Sequence, residues 1–242
     1  MNKTELLKFI DLYNLNGFVE AVKLVSDGDS LKTTFVSEDK TLAGGVSFSN
    51  IKIDKGEYGI YDTAQFKKML SVLEDEVDIS VNKNDEKPIS FSISDKSTES
   101  VVMLADLSVI PSAPKVKEIK TFDVEIPIDD NFIEKFTKAK NALPEVDSFT
   151  LLTNKKDKIE LVIGYSSINT NRIKLDVNPS AGKDKLEKPI SFNANYFREI
   201  LNKNKGVSDV VFKIAVAGIS NLSFKTKEYE ASYWLIKKDI DS

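Results

Sequence analysis

Apolar residues recur along the chain with two periods, one typical of helices and one typical of strands. The first helix is predicted from four residues at the i, i+3, i+4, i+7 spacing: Leu6, Phe9, Ile10 and Tyr13. Thr4 is placed to cap this helix, and Asn16-Gly17 ends it. Three similar stripes predict further helices near residues 63–73, 131–141 and 194–202.

Short alternating or β-branched runs between the helices predict strands separated by turn sequences. The first half carries predicted strands at 18–25, 31–36, 46–53, 57–61, 77–81, 89–94 and 100–105. The second half carries them at 122–126, 149–153, 159–163, 172–177, 190–193, 209–216, 222–227 and 231–237. Connections this short favour antiparallel sheets with the helices packed on one face.

Two parts of the chain about 130 residues apart repeat the same pattern. Residues 61–70 align with 192–201: each begins with an aromatic strand end, passes an Asp or Asn cap and becomes an amphipathic helix. Residues 90–106 align with 223–239, which places Val101-Val102-Met103 opposite Trp234-Leu235-Ile236. We therefore predict an α+β chain of two similar tandem domains, each an antiparallel sheet with two helices on one face. The predicted boundaries are 1–106, a connector at 107–121 with Pro111 and Pro114, and 122–242.

The amino-acid composition limits the kinds of functional site that the chain can contain. The 242 residues include no cysteine and no histidine, which removes disulfides, imidazole and thiolate metal sites and every Ser-His-Asp triad. We expect no catalytic residues, metal or cofactor, although an enzyme using lysines or carboxylates stays open. No apolar run reaches the roughly 18 residues of a membrane helix, and the first residues lack a signal-peptide layout. We expect a soluble, cytoplasmic protein without a membrane partner.

The net charge of the chain is −4, but its positive and negative charges are not spread evenly. The helical stretches 3–13, 63–73, 131–141 and 194–205 together carry ten Lys or Arg against four Asp or Glu. Lysine-rich helix surfaces are common, so any single helix proves little. Four helices with the same bias in an acidic chain favour binding of a polyanion on one surface. Glu199 and Asp11 interrupt this surface, so we expect the binding to be weak.

Beyond these patterns, the chain resembles the sliding clamps, the processivity factors of replicative DNA polymerases, most closely those of T-even-type bacteriophages. The resemblance rests on three segments: Asn171-Arg172-Ile173-Lys174-Leu175, the strand and helix at 190–201, and the closing hairpin at 218–237 that ends Tyr233-Trp234-Leu235-Ile236. More generally, the likeness follows the order and length of the whole chain, including its duplicated architecture.

The resemblance implies a closed ring of two-domain protomers, expected to be a homotrimer with helices lining the hole. Subunits would join edge to edge, pairing residues 100–106 of one copy with 172–177 of the next. This pairing would also protect two exposed sheet edges from aggregation. The implied interface residues are Val101, Met103, Arg172, Ile173 and Leu175.

The resemblance also implies the partners: double-stranded DNA without sequence preference, a DNA polymerase and an ATP-dependent clamp loader, in the host-cell cytoplasm if the protein is viral. The expected DNA-facing residues are Lys8, Lys67, Lys68, Lys135, Lys138, Arg198, Lys203 and Lys205. The expected partner-binding residues are Val109, Ile110, Pro111, Trp234 and Ile236. For Trp234, an ordinary core position is an equally simple interpretation.

Two other classes of function remain open from the sequence. One is a structural oligomer of the virion type, built from duplicated sheets and needing no basic lining. The other is an enzyme that uses lysines or carboxylates, for which no constellation can be recognised.

Overall fold

The chain forms two compact units. The computed structural model describes residues 1–114, 119, 121–156, 158–166, 168, 170–182 and 186–238. Unit 1 comprises Met1–Pro114 and Lys225–Ala231, and unit 2 comprises Lys115–Phe224 and Ser232–Ser242. The main segment of unit 1 ends inside the connector predicted over 107–121. Connector residues 115–118 and 120, and residue 239 of the predicted repeat, lie outside the described residues.

Unit 1 contains two α helices, two short 3₁₀ helices (Leu15–Gly17 and Leu107–Val109) and two antiparallel sheets. The α helices are α1 (Lys3–Asn14) and α2 (Thr63–Ser71), and the strands are β1 (Val22–Ser26), β2 (Ser30–Val36), β3 (Leu42–Ser49), β4 (Gly56–Ile60), β5 (Asp78–Asn84), β6 (Lys87–Ser94) and β7 (Glu99–Met103). One sheet has the order β4-β1-β2-β3 and the other β5-β6-β7. Each α helix buries one face: α1 packs beside α2 and against β3, and α2 packs against β7.

Unit 2 repeats this plan. Its helices are α3 (Asp130–Ala142) and α4 (Ala194–Lys203), and its strands are β8 (Val124–Ile128), β9 (Ser148–Thr153), β10 (Ile159–Ile163), β11 (Ile173–Asp176), β12 (Ile190–Asn193), β13 (Val210–Ala215), β14 (Ile219–Lys225) and β15 (Tyr229–Ile236). One sheet has the order β12-β9-β10-β11, and the other contains β14, β13 and β8 with the end of β15. The helix α3 packs beside α4, and α4 packs against β9 and β12. The predicted α+β fold with antiparallel sheets is confirmed.

Asp or Asn side chains begin all four described α helices. Asn2, Asp62, Asp129 and Asn193 each accept a hydrogen bond from a backbone N–H of the first turn, which would otherwise be unsatisfied. The prediction that Thr4 caps the first helix is wrong, because the Thr4 N–H donates to Asn2 Oδ1 at 2.7 Å.

The strand predicted at 18–25 begins only at Val22. Leu15 and Asn16 adopt left-handed backbone conformations, and residues Leu15–Gly17 form a short 3₁₀ turn that the Asn14 side chain closes by accepting from the Gly17 N–H. The chain leaves this turn at Phe18, and residues 18–21 lie outside any strand, so β1 starts four residues later than the apolar pattern predicts.

The predicted alignment of 90–106 with 223–239 is wrong by two residues. In the β6–β7 hairpin, Asp95 N–H donates to Thr98 O at 3.0 Å, and in the β14–β15 hairpin Thr226 N–H donates to Tyr229 O at 2.9 Å. Because these turns match, Val102 corresponds to Tyr233 rather than to Leu235. The sequence alignment had matched side-chain types, whereas the turn hydrogen bonds fix the register.

Candidate nucleic-acid and partner interfaces

The helix pair of unit 1 carries two cations that already have local partners. The Lys67 ammonium forms an ion pair with Asp11, which ties α2 to α1. Lys8 Nζ lies 5.6 Å from the ring centre of Tyr229, a distance suited to a cation–π contact. Burial raises the pKa of Tyr229 to about 12, so the ring stays neutral at physiological pH. Lys68, by contrast, is exposed and forms no ion pair with the described residues.

The helix pair of unit 2 is joined by amide and guanidinium contacts. The Arg198 guanidinium donates to Asn141 Oδ1 at 3.1 Å across the two helices and to Glu199 Oε1 at 2.9 Å. Thr137 Oγ1 donates to Asn202 Oδ1 at 3.0 Å. Glu199 is buried, so the expectation that it interrupts the basic surface is wrong. It instead balances the charge of Arg198 at the margin of the core.

The remaining lysines of unit 2 differ in exposure and pairing. Lys138 forms an i,i+4 ion pair with Glu134 at 2.5 Å, and the hydrogen bond from Lys138 lowers the pKa of that carboxyl. Lys135 and Lys205 are exposed and form no ion pair with the described residues, while Lys203 is half-buried. Lys68, Lys135 and Lys205 are therefore the predicted cations best placed to meet a phosphate without first breaking an ion pair.

Lys140 has a structural role that the sequence interpretation missed. It is 1% exposed, and its ammonium donates to Leu143 O at 3.4 Å and to Pro144 O at 3.0 Å, carbonyls at the end of α3. Burial lowers its pKa, with the charge of Arg198 as the next cause. Its spacing of i+4 from Phe136 placed it on the buried stripe, and this signal could have identified it.

The predicted subunit edges are both terminal strands of their sheets. On β7, Val101 is 46% exposed and Met103 is 69% exposed. On β11, Ile173 and Leu175 are half-buried, and Arg172 just before the strand is exposed. Exposed apolar side chains on an unpaired edge are typical of a surface that another strand covers.

A cleft of about 510 Å³ lies in unit 1 beside the start of the connector. Val19, Val36, Tyr61, Val109 and Pro111 give it an apolar lining. The charged residues at its rim are Glu20, Glu38 and Lys40. Val109 and Tyr61 are 56% and 64% exposed, so this lining is open to a partner side chain.

Ile110 anchors the connector and does not form a wall of this cleft. It is buried, and a Cβ atom added at Gly59 would lie 3.3 Å from Ile110 Cγ1 and 2.5 Å from Ala105 O. The missing side chain of Gly59 therefore allows the chain after β7 to pass close to β4. This packing presents Val109 and Pro111 at the surface.

Trp234 and Ile236 lie on the outward-facing positions of β15, alternating with the buried Tyr233 and Leu235. Trp234 stacks on Phe122, with ring centres 6.3 Å apart, and is half-buried. Ile236 is 45% exposed. Trp234 is therefore not an interior core residue, and its ring already has one aromatic partner.

Other kinds of site lack support in the described part of the chain. No group of three or more Asp or Glu side chains there is arranged to hold a metal ion. None of the helices in those ranges combines the length and apolar character needed to cross a membrane.

Comparisons with known proteins identify the fold. No family model and no curated protein sequence matches the chain. Among solved structures, the chain is similar to that described as the C-terminal region of FEN-1 bound to A. fulgidus PCNA, with a TM-score of 0.70, 16% identity, and coverage of 100% of this chain and 98% of the other. It is also similar to the proliferating cellular nuclear antigen of Entamoeba histolytica, with a TM-score of 0.69, 13% identity, and coverage of 98% and 96%. From end to end, the chain has the fold of the PCNA-type sliding clamps.

Proposed function

We propose that this protein is a sliding clamp that encircles duplex DNA and tethers the replicative DNA polymerase for processive synthesis. The observation that carries the proposal is the duplicated fold, in which each unit presents a lysine-bearing helix pair and the whole chain follows the sliding-clamp fold. The proposed role is non-enzymatic, because a clamp works by topology and positioning.

The proposed contact with DNA is weak and independent of sequence. Lys68, Lys135 and Lys205 would meet phosphates directly or through water, since they need not leave an ion pair. Lys67, Lys138 and Arg198 would contribute less, because each already has an acidic partner. Weak contacts suit a ring that must slide, since topology rather than affinity would keep it on the duplex.

The proposed assembly is a ring of three copies, joined through β7 of one and β11 of the next. Two units per copy give six units in the circle, and the free edges of β7 and β11 would supply the joints. The sequence resemblance to T-even-type phage clamps supports a bacteriophage origin and loading by an ATP-dependent clamp loader.

The proposed docking site for the polymerase is the cleft lined by Val109, Pro111 and Tyr61. An apolar anchor from a partner peptide would bury these exposed side chains, and such anchors carry much of the affinity of peptide complexes. Trp234 and Ile236, on the outward face of β15, are proposed as further partner contacts.

Retention on DNA of different topology tests the proposal. Clamps assembled on nicked circular DNA with the cognate loader should remain bound through gel filtration, and cutting the circle once should release them. Retention on circular but not on linear DNA distinguishes an encircling ring from a DNA-binding surface, because such a surface binds circular and linear DNA alike.

Two results would count against the proposal. Equal retention on circular and linear DNA would replace encirclement with ordinary binding. A stable oligomer that is never retained on circles would favour the structural, virion-type alternative. Native mass spectrometry of the same preparation gives the oligomeric state independently.

A further inference from the structure

The strands β5 and β6 of unit 1 correspond to β13 and β14 of unit 2. The hairpin turns that follow β6 and β14 match, so Phe91 on β6 corresponds to Leu222 on β14. Val81 lies opposite Phe91 on the neighbouring strand. In the same way, Phe212 lies opposite Leu222. Val81 on β5 therefore corresponds to Phe212 on β13.

In unit 2, a further strand covers the outer edge of β13. The strand β8 pairs antiparallel with β13 and places Ile126 opposite Phe212, and both side chains are buried. Along β8, Val124, Ile126 and Ile128 are buried, whereas the residues between them are not. The covered edge thus shows which kind of segment completes this sheet: an extended strand with apolar residues at every second position.

In unit 1, the corresponding edge of β5 is covered only at its beginning. Just before β5, Val77 N–H donates to Met1 O at 2.9 Å, and Lys3 N–H donates to Asp75 O at 2.7 Å. The strand β5 is the terminal strand of its sheet, and no strand of the described residues pairs with it on the side away from β6. A stretch of about six residues, 79–84, therefore has an open edge roughly 20 Å long.

The open edge leaves apolar side chains incompletely covered. Ile79 and Val81 share the inward face of the sheet, since their partners on β6 are buried. Both are only half-buried, whereas the residue that matches Val81 in unit 2, Phe212, is fully buried beside β8. A strand added next to β5 would bury Ile79 and Val81 in the way that β8 buries Phe212. Unpaired edges of this kind are ready templates for pairing with another chain.

The charges around this edge are almost all negative. Residues 74–86 include six acidic side chains and one lysine, and all seven are exposed. The acidic residues are Glu74, Asp75, Glu76, Asp78, Asp85 and Glu86, and the lysine is Lys83. A second copy would bring the same acidic edge, and a nucleic acid would bring phosphates, so neither is complementary to it. A basic segment is complementary, and the acidic residues would attract it.

We infer that an extended basic segment of a partner protein adds to β5 as a further strand, antiparallel as β8 is to β13. Apolar side chains at alternate positions of this segment cover Ile79 and Val81, and its Lys or Arg side chains lie close to Asp78. Main-chain hydrogen bonds to the open edge supply affinity, and the alternating side chains supply specificity. The inference goes beyond the proposed function, because neither the helix lysines nor the cleft beside the connector includes a residue of β5.

A synthetic peptide tests this inference on the full chain. The probe Lys-Val-Lys-Ile-Lys-Ile-Lys has the apolar alternation of β8, with lysine at the positions between. It should slow hydrogen exchange at alternate residues of 79–84, because an added strand accepts hydrogen bonds only from the N–H groups that point away from β6.

Two control peptides separate alternation from charge. Lys-Lys-Val-Ile-Ile-Lys-Lys has the same composition without the alternation, and Glu-Val-Glu-Ile-Glu-Ile-Glu has the alternation with the opposite charge. Each should bind at least about tenfold more weakly than the probe when the affinity is measured by fluorescence anisotropy.

Charge reversal on the protein gives an independent measurement. Asp75→Lys with Asp78→Lys should weaken binding of the probe roughly 2- to 10-fold per replaced carboxylate, since exposed ion pairs contribute modestly. The matched control, Glu145→Lys with Glu187→Lys, makes the same change in net charge at exposed positions of unit 2 and should weaken binding far less.

Each outcome either supports or overturns the inference. Alternating protection of residues 79–84 together with preference for the probe supports it. Equal binding of the rearranged peptide overturns strand addition, because charge alone would then hold the peptide, and tighter binding of the acidic peptide overturns the assigned chemistry of the partner. Absence of protection with every peptide overturns the docking site. Protection that appears without peptide and grows with protein concentration overturns it in favour of a second copy. Retention on circular DNA tests the proposed function separately from all of these results.

Discussion

A single carboxylate, Asp95, holds the turn that leads into the proposed subunit edge. It accepts from the backbone N–H groups of Glu74, Ser97 and Thr98, each at 2.7 Å. These hydrogen bonds lower the pKa of Asp95 to about 2, and the bond from Glu74 contributes most. Thr226 closes the corresponding turn with a hydroxyl that does not titrate. The same turn is thus built once with a pH-sensitive acceptor and once without.

We predict that Asp95→Thr reduces the acid sensitivity of unfolding. Because the folded-state pKa lies below the ordinary value of 3.8, Asp95 contributes stability above about pH 4, and this contribution disappears as the pH falls toward 2. Threonine keeps an acceptor for the turn but carries no proton equilibrium. Urea midpoints measured from pH 2 to 6 should show a lower midpoint for the variant at pH 6 and a smaller drop in acid. Parallel curves for the two proteins would refute this role.

The unpaired helix lysines give a second prediction at this scale. Lys68→Glu with Lys135→Glu should shorten polymerase runs and lower the salt dependence of direct DNA binding by about one unit of slope for each lysine that meets a phosphate. The control, Lys52→Glu with Lys188→Glu, makes the same change in charge at exposed positions outside the helices. Primer-extension lengths and binding titrations in increasing salt measure both effects. Equal losses in the two variants would mean that only net charge matters.

At the scale of elements, the periodicity of apolar residues was sufficient to predict where the helices and most of the strands lie. The stripe that ends at Tyr13 predicted the buried face of α1 correctly, because burial is what that period records. Along β15, the alternation placed Trp234 and Ile236 on one face, but the sequence left open whether that face is buried. Backbone hydrogen bonds fixed the features that this periodicity does not predict. One such feature is the register of the two hairpins, which depends on the backbone hydrogen bonds of Asp95 and Thr226. Similar side-chain types in two segments do not predict this register.

The candidate sites were less predictable because each depends on which side chains pair. Lys67 and Lys68 are adjacent in sequence, yet only Lys67 reaches an acidic residue of α1. Glu199 looked exposed by its charge but lies buried beside Arg198. Ile110 looked equivalent to Val109, although the space left by Gly59 buries Ile110 and leaves Val109 outside.

The connector gives a prediction at the scale of an element. Val109→Glu should weaken binding of the cognate polymerase more than about tenfold, since a carboxylate would have to be desolvated in the apolar cleft. Ser112→Glu is the matched control, because Ser112 is exposed on the same segment and does not line the cleft. Surface plasmon resonance with the polymerase measures the affinity. Unchanged binding of Val109→Glu would place the polymerase site elsewhere, and retention on circular DNA should stay normal in both variants.

At the scale of the whole molecule, the proposed activity depends on closure rather than on affinity. The described helices offer few cations that are free of ion pairs, and the net charge of the chain is −4. We therefore expect direct attraction to DNA to be small, and a closed ring would have to open at a joint before DNA could enter. The proposed joint between β7 and β11 is the place where opening would break only strand pairing between copies.

We predict that sealing these joints blocks entry of DNA. Cysteines introduced at Val101 on β7 and at Lys174 on β11 can join the two strands of the proposed joint covalently. This variant, oxidised before DNA is added, should lose at least about tenfold in capture on nicked circles even with the loader and ATP, because no joint can part. Reduction before loading should restore capture, and oxidation after loading should leave the rings retained on circles yet still released by linearisation. The protein without cysteines, treated with the same oxidant, controls for damage to the loader. Normal capture by fully sealed rings would show that DNA reaches its site without passing through a joint, and encirclement would then have to be abandoned.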